Sequence, residues 1–190
     1  ERERMLPGVT CTRLGADRCP GLLKPFVAQD GAIIRLRVPG GRVRVSTLAD
    51  LLAIGADHGA PLLSVTSRTN LQVRGLPDPL PEDVMVRAEA TGLLPSPSHE
   101  RARNILAAPL APDLQPLVAE LDAALCADPF LADLPGRFLF AVTDATGAVL
   151  TEPVDAAYQA LTPTSGVIRL AGLGMPCARD DAVAHLLERA

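Results

Sequence analysis

The stretch that decides the fold is "SVTSRTNLQVRGL", residues 64–76. Leu63 and Val65, then Leu71 and Val73, alternate with polar neighbours at period two. That spacing predicts two strands, 62–66 and 70–75, joined as a hairpin. Thr66, Ser67, Arg68, Asn70, Gln72 and Arg74 load the hairpin with hydrogen-bonding side chains. Two readings fit such a load: the wet outer face of a sheet, or a surface built to hold a polar, anionic ligand.

Upstream, "AIIRLRV" (32–38) alternates in the same way, with Ala32, Ile34, Leu36 and Val38 on one side and Ile33, Arg35 and Arg37 on the other. "PGG" (39–41) turns the chain, and "RVRV" continues briefly in extended form. A helix is predicted at 46–58, capped by Thr47 with Asp50 three residues on, and stopped by Gly59. Its buried stripe would be Leu48, Leu51, Leu52 and Ala56. A Pro-rich break leads to a second helix at 81–91, with Val84, Met85 and Ala88 inward.

The order strand-helix-strand-strand-helix is most of a ferredoxin-like sheet with helices on one face, and the class is α+β. The missing last strand predicts an open sheet edge that something must cover. Residues 93–100 read as a linker or an ordered loop. The second half reads as α/β. It has a helix at 113–126, a strand at 137–143, a turn at "DATG", a strand at 166–171 and a terminal helix from Asp180 or Asp181.

If the two predicted strands share a sheet backed by helices, Arg35, Arg37, Asn70, Gln72 and Arg74 face the same way. Guanidinium forks and amides on one face match carboxylates and oxyanions. The net charge is −4, yet Arg35, Arg37, Arg42, Arg44, Arg68 and Arg74 cluster within residues 35–74. An acidic chain with local arginines points to a small anionic ligand rather than to a long polyanion. "HERARN" (99–104) adds Arg101, Arg103 and Asn104 on a loop.

Other classes are disfavoured. The chain has four Phe, one Tyr and no Trp, too few stacking platforms for single-stranded nucleic acid. Cys11, Cys19, Cys126 and Cys177 include no close pair of the kind that holds zinc or an iron–sulfur cluster, so no metal ligands are assigned. Free thiols and the lack of any apolar run near the roughly 18–20 residues that span a bilayer predict a cytoplasmic protein. His58, His99 and His185 are scattered, so no catalytic nucleophile–base set is assigned. His58 suits a helix-end charge–dipole role, and His185 an exposed position.

The segments "CPGLLKP" (19–25), "IIRLRVPGG" (33–41), "VTSRTNLQVRGL" (65–76), "ERARNILAAPLA" (100–111) and "LPGRFLFAV" (134–142) resemble, in that order, the siroheme-dependent nitrite/sulfite reductase family. The resemblance is closest to the N-terminal half of its precorrin-3B synthase branch in cobalamin biosynthesis. It implies a ferredoxin-like half-domain at 19–92 and the N-terminal half of a siroheme-type α/β domain at 93–190. It implies an oxidoreductase component in which Thr66, Arg68 and Gln72 hold a carboxylate-rich tetrapyrrole, siroheme or a relative, while Asn104 orders the adjoining loop. Asn70 and Arg74 extend that cofactor face. Arg35 and Arg103 would point at the substrate anion, with Arg137 where the reductases place a lysine. Leu139 stands at the reductases' second lysine, which suits the synthase branch better than sulfite reduction. The family also uses a [4Fe–4S] cluster from its second half, and these cysteines do not supply one. The expected partners are the tetrapyrrole, and a second copy or a separate cluster-bearing chain. The alternative is a non-catalytic tetrapyrrole-binding module, or a homodimeric half-reductase.

Overall fold

The computed structural model describes residues 19–188 and 190. Cys11 and most of the polar opening stretch lie outside the described residues. The first sheet holds β1 (Phe26–Ala28), β2 (Gly31–Leu36), β3 (Leu63–Val65) and β4 (Leu71–Leu76), in the order β1-β2-β4-β3, all antiparallel. Helices α1 (Val45–Asp57) and α2 (Glu82–Ala90) pack on one face. The predicted order is therefore present. The open edge is not: β1 pairs with β2 in the slot a last ferredoxin-like strand would fill. Composition hid it, because "FVA" is three residues in a Gly/Pro-punctuated segment.

Alternation along β4 fails at one place, for a geometric reason. Ala32 pairs with Leu76 but Ile33 with Arg74, so Gly75 is a bulge residue, at φ 79°. A glycine there accepts the left-handed backbone, and the extra residue returns Leu76 to the core. Leu22, Ile34, Leu51, Ile54, Val73 and Val84 fill that core. Burying an aliphatic side chain of this size is worth about 2 kcal/mol.

Helix α1 departs from prediction at its start. Its N-cap is Arg44, without a side-chain cap, and Thr47 lies inside the first turn, buried. Residues 42–44 form no strand. Leu51 faces inward with Ile54 and Gly55, whereas Leu52 is exposed at 43% and Ala56 is also exposed. Gly59, at φ 77°, ends the helix as expected, and its amide donates to the Ala56 carbonyl.

Residues 93–100 form an ordered loop. His99 is buried there, its Nδ1 2.7 Å from Ser96 Oγ and its Nε2 2.9 Å from the Asp128 carbonyl. The second sheet runs β5 (Ile105–Ala107), β6 (Phe140–Thr143), β7 (Ala156–Ala160), β8 (Ser165–Leu170) and β9 (Leu173–Ala178), in that order. The first three strands are parallel, the last two antiparallel. β5, β7 and β9 escaped the sequence reading, and the strand predicted at 137–143 begins only at Phe140. Fully buried parallel strands such as "ILA" show no alternation to detect.

Helices α3 (Gln115–Ala127) and α4 (Ala182–Leu187) cover one face of this sheet, packing Leu121 and Leu186 over Ile105, Phe140, Tyr158 and Ile168. Gln159 points the other way and donates to the Ala145 carbonyl, so the β6–β7 crossover lies over the opposite face. His185 is half-buried rather than exposed, 3.5 Å from Glu188. Among the described residues, no helix is long and apolar enough to cross a membrane.

Candidate functional site

Strand register places the predicted polar face. Arg35 lies opposite Gln72, and Ser64 lies opposite Gln72 from the other side, so the three form one row across β2, β4 and β3. All three side chains are partly exposed, on the face away from α1 and α2. A guanidinium, an amide and a hydroxyl in one row form a surface rich in donors for a carboxylate. Ser64 was not singled out from sequence, and only the register of the short strand β3 reveals it.

The remaining predicted residues divide by what they touch. Arg74 lies one row away and donates to Asp30 Oδ2 at 3.2 and 3.3 Å across exposed surface. Arg37 is buried, at 1% exposure, and its Nη1 donates to the Pro20 carbonyl at 3.2 Å. It therefore braces residues 19–24 and does not sit on the open face with Arg35.

The hairpin tip is built by Thr66. Its carbonyl accepts from the Thr69 amide and its Oγ1 from the Asn70 amide at 3.1 Å, which holds Thr69 at φ 59°. From this tip Arg68 reaches out, and its Nη1 donates to the Arg137 carbonyl at 2.6 Å. The Arg137 side chain itself is exposed.

Asn70 and Asn104 join the halves. Asn70 Oδ1 accepts from the Val38 amide at 3.3 Å, and its Nδ2 donates to Asn104 Oδ1 at 3.0 Å. Asn104 Nδ2 donates in turn to the Arg101 and Gly136 carbonyls. Both amides are buried. They position the tip and the 134–138 turn and present no free donor to a ligand.

Arg103 stands apart from the row. It is 4% exposed, its Nε and Nη2 donate to both carboxylate oxygens of Asp122 at 2.8 and 2.7 Å, and its Nη1 donates to the Leu93 carbonyl. A bidentate pair this well buried clamps α3 to the loop that carries it. The structure thus brings Arg35, Gln72 and Ser64 together, ties Arg68 to the 134–138 turn, and leaves Arg103 with α3.

Where the two halves meet, an open groove of about 750 Å3 runs between Gly40, Arg42 and Thr69 on one side and Leu106, Pro109 and Val149 on the other. It is a feature that sequence reasoning missed. Its lining comes from four segments far apart in the chain.

The described cysteines, Cys19, Cys126 and Cys177, do not form a cluster site. Among the described residues no group of His, Cys, Asp and Glu is arranged to hold a metal ion. Cys126 lies on α3 and Cys177 on β9. Burial pushes both thiols upward, with the Asp122 charge adding at Cys126 and the Asp181 charge at Cys177. Thiols held protonated are poor ligands.

Comparison with known proteins bears on the fold and on the first sheet. Residues 27–89 match the nitrite/sulfite reductase ferredoxin-like half domain. The fold matches the structure of Mycobacterium tuberculosis NirA protein with a TM-score of 0.65 and 19% identity, over 84% of this chain. This chain spans 35% of the length of that one. No curated protein matches it. Residues 27–89 thus match the nitrite/sulfite reductase ferredoxin-like half domain, within a chain that shares its fold with part of the longer NirA structure.

Proposed function

We propose that this chain holds a polycarboxylate tetrapyrrole, siroheme or a precorrin, as an oxidoreductase component of the precorrin-3B synthase type. The observation that carries the reading is the Arg35–Gln72–Ser64 row, with Arg68 on the adjoining hairpin tip. Arg35 pairs with a ring carboxylate, Gln72 and Ser64 donate to a second oxygen or carboxylate, and Thr66 and Asn70 fix the tip. Arg74, paired with Asp30, flanks the row, and Arg137 lines the turn that Arg68 grips. Bound iron tetrapyrrole supplies the redox centre; the chain's own residues bind and orient it.

A [4Fe–4S] cluster does not fit the described cysteines, and no step is routed through one here. In this reading the cluster comes from other residues, either of a longer chain or of a partner. A second reading is a non-catalytic holding module.

Visible-absorbance titration of the full chain with siroheme, and separately with iron-free uroporphyrin, tests the binding. Saturable spectral shifts with both, weakened about tenfold in Arg35→Ala and unaffected in Arg87→Ala, are expected. Equal effects of the two substitutions, or no shift with either pigment, would remove the assignment. Electron transfer from a chemical reductant to bound siroheme, followed by turnover of nitrite, sulfite or a precorrin, separates the enzyme from the holding module.

A further inference from the structure

Two non-glycine residues stand in left-handed backbone among the described residues, Thr69 at φ 59° and Ala171 at φ 48°, and only Thr69 is β-branched. The hairpin loop 67–69 demands such a conformation at its last position. Thr66 donates to the Asn70 carbonyl and Thr69 to the Thr66 carbonyl, both at 2.9 Å. Glycine fills that position at least cost, with asparagine next. A branched Cβ there is unfavourable, so the surroundings must hold it in place. Threonine brings a hydroxyl and a methyl that glycine lacks.

The hydroxyl donates to the Arg68 carbonyl at 2.8 Å and so fixes the peptide plane between the two residues. The rest of the side chain lies against Gly41, where an added Cβ would stand 3.0 Å from Thr69 Cβ and 3.1 Å from its Cγ2 and Oγ1. Gly41 thus leaves room for the threonine. The fixed plane sets the direction in which Arg68 leaves the tip, and Arg68 Nη1 meets the Arg137 carbonyl at 2.6 Å. That anchor uses one N–H of the guanidinium. The others have no protein partner among the described residues and remain for a ligand oxygen.

We propose that Thr69 is a positioning residue: it holds Arg68 in one orientation before any ligand arrives, so that the guanidinium meets a carboxylate without first having to be ordered. Ordering a long side chain on binding weakens affinity, and a tip already set avoids that loss. What Arg68 meets rests on the tetrapyrrole reading above. How Arg68 is held rests on the tip geometry alone.

The test compares Thr69→Gly with Thr69→Ser, which keeps the hydroxyl, in the full chain. The Arg68 Nε–Hε resonance, identified by its loss in Arg68→Lys, reports side-chain order through its heteronuclear NOE without any pigment. Thr69→Gly is expected to lower that NOE and to weaken siroheme binding about fivefold. Its Tm should move by less than about 4 °C, since relief of the left-handed Cβ offsets the lost hydrogen bond. Thr69→Ser keeps the wild-type NOE and affinity. An unchanged Arg68 NOE or siroheme affinity in Thr69→Gly, or a fall in Tm beyond that range, makes Thr69 an ordinary turn residue and overturns the proposal. If the wild-type chain shows no siroheme shift, the tetrapyrrole reading falls, and the Arg68 NOE still decides whether Thr69 holds the guanidinium.

Discussion

Asn70 Nδ2 donates to Asn104 Oδ1 at 3.0 Å, and this buried amide pair ties the hairpin tip of the first sheet to the turn that leads into the second. Each member is also anchored on its own side, Asn70 by the Val38 amide and Asn104 by the Arg101 and Gly136 carbonyls. The chain of donors and acceptors is satisfied from one half to the other, which makes it intolerant of partial removal.

Asn70→Ala strips partners from the Val38 amide and from Asn104 Oδ1 together. The expected loss is about 3 kcal/mol of unfolding free energy, read from urea denaturation. Asn70→Asp should recover little. It keeps an acceptor for Val38 but sets a second acceptor against Asn104 Oδ1. Recovery to wild-type stability in the aspartate variant would mean that the pair is not oriented as described.

Arg103→Ala separates a structural arginine from a ligand-binding one. Removing one partner of a buried ion pair costs about 3–5 kcal/mol, because Asp122 is left uncompensated. The expected outcome is a large fall in stability, with pigment affinity in the remaining folded protein unchanged. A stable variant with lost affinity would return Arg103 to the site.

Gly21→Ala probes the cover over the first core. Glu100 Oε2 accepts from the Leu22 and Leu23 amides at 2.8 and 3.0 Å. A Cβ on Gly21 would collide with that buried carboxylate. Thermal unfolding should show Gly21→Ala to be clearly more harmful than Gly59→Ala. At Gly59 a Cβ meets open space and only the positive φ costs, at about 1 kcal/mol.

Acid should loosen the α1–α2 contact. His58 Nε2 lies 2.9 Å from Asp83 Oδ2, and that hydrogen bond, with the His58 and Arg87 charges, holds the Asp83 carboxyl below its ordinary value of 3.8. A carboxyl with a lowered folded pKa contributes stability that is present above the unfolded value. That contribution disappears as pH falls through the lower folded value. Asp83→Asn should therefore flatten the acid limb of the stability–pH curve below about pH 4. An unaltered acid limb would show that the pair contributes nothing, as many exposed pairs do.

Period-two alternation was enough to read β2 and β4 and the order of the first half. Each strand there buries one face only, and the 3.6-residue stripe through Leu51 placed α1 nearly to its ends. The resemblance of the arginine and "TSRTN" segments led to the same family as the match over residues 27–89. What local pattern could not convey was pairing. The three-residue strand β1 fills its slot only because β2 offers an edge, and β5, buried on both faces, has no polar phase to betray it. The arginines make the same point chemically. Sequence marked Arg35, Arg37 and Arg74 alike as cations in one cluster and added Arg103 from a loop. Tertiary structure gave Arg37 to Pro20, Arg74 to Asp30 and Arg103 to Asp122, and set Arg35 beside Gln72 and Ser64. Residue type marked where guanidinium and amide groups concentrate along this chain. Which acceptor or neighbour each guanidinium meets was decided by packing in space, and sequence distance does not encode that.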